Sequence, residues 1–155
     1  MTIRRYQPGE EQRLWQIFHD TTHLINGTVY TPEQCERWAP AAPDMSKWRE
    51  RIRTRNPFVV EEDEKILGFA ELEPDGHIDF FYCDHMHLRR GIGRMLYDEI
   101  EREARRLQLR SLHAHVSLTA KAFFLQMGFE IEREQHNIVC GAVAPNFLMR
   151  KTLAE

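Results

Sequence analysis

Long apolar runs, paired cysteines and an excess of positive charge are all missing from these 155 residues, and each absence removes a class of protein. No run approaches the roughly 18 apolar residues that a membrane span requires. Met1-Thr2-Ile3-Arg4-Arg5 leads into polar sequence with no apolar signal core. The chain therefore reads as cytoplasmic, with no membrane partner. Cys35, Cys83 and Cys140 are far apart, odd in number and never spaced as C-x-x-C, which argues against a disulfide framework. Lysine is scarce. The 21 basic residues, mostly arginine, face 24 acidic ones for a net charge of −3. That balance supplies no electrostatic footprint for nucleic acid. Repeats, low-complexity tracts and long linkers are absent too. What remains is 42% apolar residues, with aromatics at 10%, enough for one core. The length fits a single domain over 1–155 and is tight for two.

Local patterns predict the elements. Thr2 to Tyr6 reads as an edge strand, and Pro8 suits the first turn of a helix running to about Thr22. Thr31-Pro32-Glu33-Gln34 spells a capping box with proline at the first helical position, so a second helix starts there and ends before Pro40. Asp44 or Ser46 can cap a third, from Met45 to Arg55. Its arginines, Arg49, Arg51, Arg53 and Arg55, read as the solvated end of that helix. The period then changes to that of strands. A run after Pro57, a turn at Glu64-Lys65, a run from Lys65 to Glu73, a turn at Pro74-Asp75-Gly76 and a run from His77 to Asp84 make an antiparallel meander. A long helix follows from about Gly91 to Gln108, with Ile92, Leu96, Ile100, Ala104 and Leu107 on one stripe. Ser111 to Val116 reads as a strand, and Thr119 to Met127 as a helix with Gly128 at its end. Two strands close the chain, near 129–139 and 144–151. The order describes an α/β arrangement of the α+β type: a mixed, mostly antiparallel sheet of six or seven strands flanked by four or five helices.

One segment carries chemistry. After the third meander strand, His77 to Asp84, comes His85-Met86-His87-Leu88-Arg89-Arg90-Gly91-Ile92-Gly93-Arg94. Here a strand enters a short loop, and two glycines open a long amphipathic helix. Glycine lets backbone N–H groups approach an anion, and a helix N-terminus carries about half a positive charge. Arg89, Arg90 and Arg94 add full charges beside it. The alternative is a glycine turn with a solvated arginine cluster. As an anion site it fits a pyrophosphate. It is not a dinucleotide fingerprint, because Leu96 stands where a third glycine is needed, nor a P-loop, because Gly-Lys-Ser/Thr is missing.

This segment resembles the acetyl-CoA motif of the GNAT superfamily of N-acetyltransferases, R/Q-x-x-G-x-G/A. Gly91 and Gly93 match its glycines, and Leu88 stands where arginine or glutamine is usual. Downstream, Ser117-Leu118-Thr119-Ala120-Lys121-Ala122-Phe123-Phe124-Leu125-Gln126-Met127-Gly128-Phe129 is similar to the family's N-x-x-A-x-x-F-Y-x-x-x-G-F. Ser117 replaces the asparagine and Phe124 the tyrosine. Tyr30 to Gln34, Trp38-Ala39-Pro40, Gly68 to Leu72, Asp75 to Asp79 and Asn146 to Lys151 extend the likeness, that of one bacterial subfamily, over nearly the whole chain.

The resemblance implies acetyl transfer from acetyl-CoA to an amine by direct attack in a ternary complex, on a small-molecule amine, with no metal and no nucleic acid. A homodimer is compatible with it. It implies a coenzyme site of Phe81, Cys83, Arg89, Arg90, Gly91, Ile92, Gly93, Arg94, Ser117 and Phe124. The backbone at Phe81 and Cys83 would hold the cofactor, and a Phe81 N–H would polarise the carbonyl. Strand alternation puts His77, Asp79, Phe81 and Cys83 on one face. Asp79 is the first choice of base, then His77, with Glu71 in reserve and Ser117 a further catalytic candidate. His23, Tyr30 and Trp38 lie in the region that walls the acceptor pocket. Such a base has work to do. A lysine-like amine with a pKa near 10.4 lies about 3.4 units, or roughly 4.6 kcal/mol, from neutrality at pH 7. His85 and His87 with Cys83 and Asp84, and the pair His113 and His115, could be taken for metal ligands. Their positions in the coenzyme loop and on a strand favour polar roles, and no metal is expected. Two rival functions remain: a non-catalytic acyl-CoA-binding module, and a transferase for protein N-termini or lysines.

Overall fold

In a computed structural model describing residues 1–139 and 142–154, the periodicities become seven strands and five helices among the described residues. In chain order they are β1 (Thr2–Arg5), α1 (Glu11–Leu24), α2 (Pro32–Trp38), α3 (Met45–Arg55), β2 (Phe58–Glu62), β3 (Lys65–Leu72), β4 (Ile78–Cys83), α4 (Ile92–Arg106), β5 (Ser111–Ser117), α5 (Lys121–Gln126), β6 (Glu130–Val139) and β7 (Ala142–Thr152). Cys140 lies outside the described residues.

The start signals act through named bonds. Thr31 Oγ1 accepts from the Gln34 N–H at 3.1 Å, and Gln34 Oε1 accepts from the Thr31 N–H at 2.9 Å, completing the capping box of α2. Asp44 caps α3 by accepting from the Ser46 and Lys47 N–H groups. Pro8 is not in α1: Pro8 and Gly9 form a turn, and the helix begins two residues later, at Glu11. The β2–β3 turn falls one residue earlier than the spelling predicts. Asp63 and Glu64 both take positive φ, 52° and 64°. Those angles match the twist of the flanking strands in a two-residue hairpin.

Where one sheet was expected there are two, ordered β1-β2-β3-β4 and β5-β7-β6. Pairing within each is antiparallel. Between them the described residues hold a single parallel bridge, His77 to His113. The two sheets thus meet at His77, just before β4, and His113 of β5, and part beyond, leaving two ladder edges facing a gap.

Two apolar clusters cover the faces of this split layer. Ile92, Leu96, Ile100 and Ala104 of α4 pack with Val60, Leu67, Ile78, Leu112, Val116 and Met149. On the other face, Leu14, Ile17 and Phe18 of α1, Cys35 and Trp38 of α2, and Trp48 and Ile52 of α3 pack on Val59, Ile66, Phe69 and Phe80.

β4 does not alternate simply. Its pairing with β3 shifts register between Ala70 and Leu72, so β4 carries one residue more than the strand it faces. Ile78, Phe81 and Cys83 belong to the α4 side, while Phe80 and Tyr82 belong to the α1–α3 side. Asp79 bonds Arg51 of α3 and so shares the α1–α3 side with Phe80. A β-bulge has this effect, because its extra residue leaves two successive side chains on one face. The expectation that Asp79 shares a face with Phe81 and Cys83 is corrected accordingly.

Candidate active site

The gap between β4 and β5 opens into a cavity of about 780 Å³. Its walls include residues from both faces of the layer, so it passes through the split. Toward α4 it is lined by Leu88, Arg89, Gly91 to Arg94, Phe81, Cys83, Phe123 and Phe124, and toward α1–α3 by Thr21, Asn26, Trp38, Asp79, Phe80, Tyr82 and His115.

On the α4 side the donors are backbone groups. The first intrahelical bond of α4 runs from the Met95 N–H to the Gly91 carbonyl at 3.0 Å, so the N–H groups of Ile92, Gly93 and Arg94 precede it and face the loop. Gly91 sits at the N-cap with φ 83°, a left-handed angle that glycine takes without strain. Open space surrounds the position a Gly91 Cβ would occupy, whereas a Cβ on Gly93 would come within 3.0 Å of the Phe123 ring. Gly91 therefore leaves room for a ligand, and Gly93 lets α5 close against α4. Arg89 has φ 62°. Arg90 reaches Glu62 at 2.8 Å and Arg94 reaches Asp98 at 3.0 Å, so both arginines are braced by carboxylates beside the loop.

The loop is anchored from behind. Asp84 is buried, and its Oδ1 accepts from the Met86 N–H at 2.9 Å, capping the short turn His85–His87. Its Oδ2 lies 2.5 Å from Nη2 of Arg13, and that guanidinium also donates to the Ile66 carbonyl. Burial alone would raise the Asp84 pKa. The Met86 N–H and Arg13 outweigh it and hold the carboxyl below its usual range. Arg13 belongs to α1, so this helix, which also supplies Thr21 to the cavity, holds the loop before α4 in place.

On the α1–α3 side the charged groups are bonded to one another. Nη2 of Arg51 bonds Asp79 Oδ2 at 2.7 Å and Glu71 Oε1 at 2.9 Å, and its guanidinium lies 4.3 Å from the Phe80 ring centre. Glu71 is 1% exposed and its Oε2 has no hydrogen-bond partner among the described residues. Burial pushes its pKa up to about 7, with Arg51 opposing. Glu71 does not line the cavity, and Asp79 does. Arg51 and Arg55, read from sequence as solvated, instead face this acidic pocket, and Arg55 pairs with Glu73. Glu73, His77 and Asp79 bring ligand atoms within 4.8 Å of one another, but the two guanidiniums already supply the cations there.

His77 stacks on His113 with ring centres 5.1 Å apart and meets His115 edge-on at 5.5 Å. His115 lines the cavity, and Gln135 Nε2 lies 2.6 Å from its Nδ1. Partial burial of the imidazole, with His77 and His113 beside it, lowers the His115 pKa and favours the neutral ring. His115 did not stand out as a proton acceptor in the sequence. The signal available was its alternation with His113 and Ser117 on β5.

The remaining candidates are distributed as follows. Ser117 lines the cavity, and its Oγ accepts from the Ala120 N–H at 3.2 Å and lies 3.0 Å from Thr119 Oγ1. Phe124 is buried in an aromatic cluster, with Phe81 at 5.5 Å and Phe129 at 5.1 Å. The Cys83 thiol is pushed up to about 12, chiefly by burial, which leaves it no nucleophilic thiolate at neutral pH. Its carbonyl accepts from Thr21 Oγ1 at 2.8 Å. Trp38 lines the cavity and donates from Nε1 to Tyr82 Oη at 3.2 Å. His23 and Tyr30 stand outside the lining. His23 bonds the Ala39 carbonyl, joining α1 to α2, and Tyr30 Oη donates to the Pro145 carbonyl and accepts from the Leu118 N–H.

Residues 27–147 match the family described as the acetyltransferase (GNAT) domain. The chain is 30% identical over 148 residues to the uncharacterized N-acetyltransferase YafP of Escherichia coli K12, covering 96% of this chain and 93% of that one. It superposes with TM-score 0.91 and 28% identity on a GCN5-related N-acetyltransferase from Rhodopseudomonas palustris, over 98% of this chain and 95% of the other. PaiA N-acetyltransferase from Thermoplasma acidophilum, solved with coenzyme A, shares the fold at TM-score 0.75 and 17% identity, over 99% of this chain and all of the other. A helix opened by two glycines beside a split sheet, with a matching family sequence over most of the chain, makes this protein a member of the GNAT family of acetyl-CoA-dependent acetyltransferases.

Proposed function

We propose that the acceptor is a small-molecule amine and that the transfer is a direct attack within a ternary complex. The observation that carries this is the tie between the α2 region and β7 beside the cavity. Tyr30 ties the segment before α2 to Pro145 of β7, and Gln34 of α2 donates to the Val143 carbonyl at 3.3 Å. Those two bonds cover the edge across which an extended polypeptide would lie. Acetyl-CoA enters from the α4 side. Its pyrophosphate rests on the N–H groups of Ile92 to Arg94 beside Arg89, and its acetyl group reaches the bulge at Asp79–Phe80. A backbone N–H of β4, from Phe81, polarises the thioester carbonyl. Asp79, held by Arg51, orients the incoming ammonium. The neutral imidazole of His115, with His77 behind it, takes the proton, and CoA departs as a thiolate or thiol. The free thiols of Cys35 and Cys83 suit a reducing cytoplasm.

A panel of small amines, an N-terminal peptide and a lysine peptide, assayed by release of free CoA, tests this reading. Turnover confined to small amines supports it, and preference for either peptide overturns it. Phe124 favours a second reading, because phenylalanine has no proton to give the leaving sulfur. Acetyl-CoA hydrolysis that is slow and independent of every amine would mark the chain as an acyl-CoA-binding module.

A further inference from the structure

We infer that the acceptor carries a single amine on an uncharged, apolar body. This rests on the small-molecule reading above and narrows it to a substrate class. Three observations converge. The α1–α3 wall of the cavity is aromatic and aliphatic, with Trp38, Phe80, Tyr82 and Ile25. Several polar side chains near them are bonded within the protein. Thr21 bonds the Cys83 carbonyl, Thr119 Oγ1 donates to Asn26 Oδ1 at 2.5 Å and contacts Ser117, and Trp38 bonds Tyr82. They offer few hydrogen bonds to a sugar or a peptide.

Charge decides the rest. The only carboxylate lining the cavity among the described residues is Asp79, and it shares Arg51 with Glu71 and Arg55 with Glu73, so three carboxylates face two guanidiniums. A polyamine or aminoglycoside would bring several ammonium groups to a chamber with at most one unmatched negative charge, and a buried unpaired cation is strongly disfavoured. A free amino acid fares no better. The arginines that line the cavity, Arg89 and Arg94, lie on the α4 side, and Arg51 and Arg55 beside Asp79 are already paired with carboxylates, so its carboxylate would have to compete for them. One ammonium can rest beside Asp79 and pass its proton to an imidazole while an apolar body fills the aromatic chamber.

The test measures kcat/KM with saturating acetyl-CoA for phenethylamine, cyclohexylmethylamine, spermidine, kanamycin and glutamate, with calorimetry of CoA binding run alongside. The two apolar monoamines should exceed the other three by at least tenfold. Arg51→Gln should unbalance Asp79 and shrink the ratio of phenethylamine to spermidine several-fold. Asn26→Asp places a carboxylate in the same chamber with almost no change of shape, and it should move the ratio in the same direction if Arg51→Gln fails to fold. Spermidine, kanamycin or glutamate preferred by a protein that binds CoA overturns the acceptor class and leaves the small-molecule reading intact. A ratio unmoved in the folded variants overturns charge balance as the selector. CoA binding with no turnover of any small amine removes both readings.

Discussion

On the α4 side of the split sheet the groups available to a ligand are backbone donors, the N–H groups of Ile92 to Arg94 behind Gly91. On the α1–α3 side they are side chains already bonded to one another, with Arg51 between Asp79 and Glu71. The first site works by geometry that one residue type permits, so it tolerates changes around it and fails if that residue changes. The second is a balance of charges, so removing one partner alters selectivity and pH dependence before it abolishes binding. Backbone recognition suits a cofactor whose anion is the same in every encounter. A balanced side-chain network suits a chamber that must choose among amines.

Four substitutions probe this contrast. Gly91→Asp should hit the backbone side hardest. It puts a negative charge in the cradle, costing at least tenfold in acetyl-CoA affinity, about 1.4 kcal/mol, which calorimetry would read. A non-glycine residue at that φ adds about 1 kcal/mol of strain, visible in denaturant unfolding. Unchanged affinity in a folded Gly91→Asp protein would mean that the pyrophosphate lies elsewhere.

Glu71→Gln tests the charge-balanced side through stability. The folded pKa of Glu71, about 7, lies above the 4.5 of a free glutamate. The native state therefore holds a proton that the unfolded chain gives up, and this contribution to stability is full below about pH 4.5 and lost as pH rises toward 7. The variant should lose that slope and gain on the order of 1–2 kcal/mol relative to wild type at pH 8, measured by urea unfolding at several pH values. A difference that does not change with pH would show that Glu71 is not titrating in this window.

Arg13→Gln separates positioning from fold. Removing the cation from Asp84 should loosen the His85–His87 turn and raise the KM for acetyl-CoA three- to tenfold, up to about 1.4 kcal/mol, with kcat changed less. Arg13→Lys should recover part of the loss. A stability drop with KM unmoved would make the pair purely structural. The smallest effect belongs to Phe124→Tyr, which restores a hydroxyl where the family usually has one. Turnover should rise about two- to threefold under saturating acetyl-CoA if chemistry is limiting. A slower variant would mean that another group already protonates the sulfur.

How far the sequence could be read depended on the range of the interactions involved. The start of α4 was legible because its signal is local: Gly91 and Gly93 sit beside the backbone they shape, and the apolar stripe of Ile92, Leu96 and Ile100 needs only helical geometry. The Thr31–Gln34 cap was legible for the same reason. Asp79 was recognised as a candidate, but its surroundings were not, because one extra residue in β4 reverses a face and no spelling in Ile78–Cys83 announces the bulge. Arg51 read as a solvated helix residue, since the carboxylates it meets lie 20 and 28 residues further along the chain.

Composition, helix caps, turn residues and the glycine-opened helix thus follow from the amino acids in order, since each rests on contacts within a few residues. The split between β4 and β5, the cavity through it, the pairing of Asp79 with Arg51 and the bond that ties Tyr30 to Pro145 were decided only by tertiary structure. Each needs groups from distant segments to arrive at one place, and their separation in sequence sets neither the distance nor the direction of that meeting.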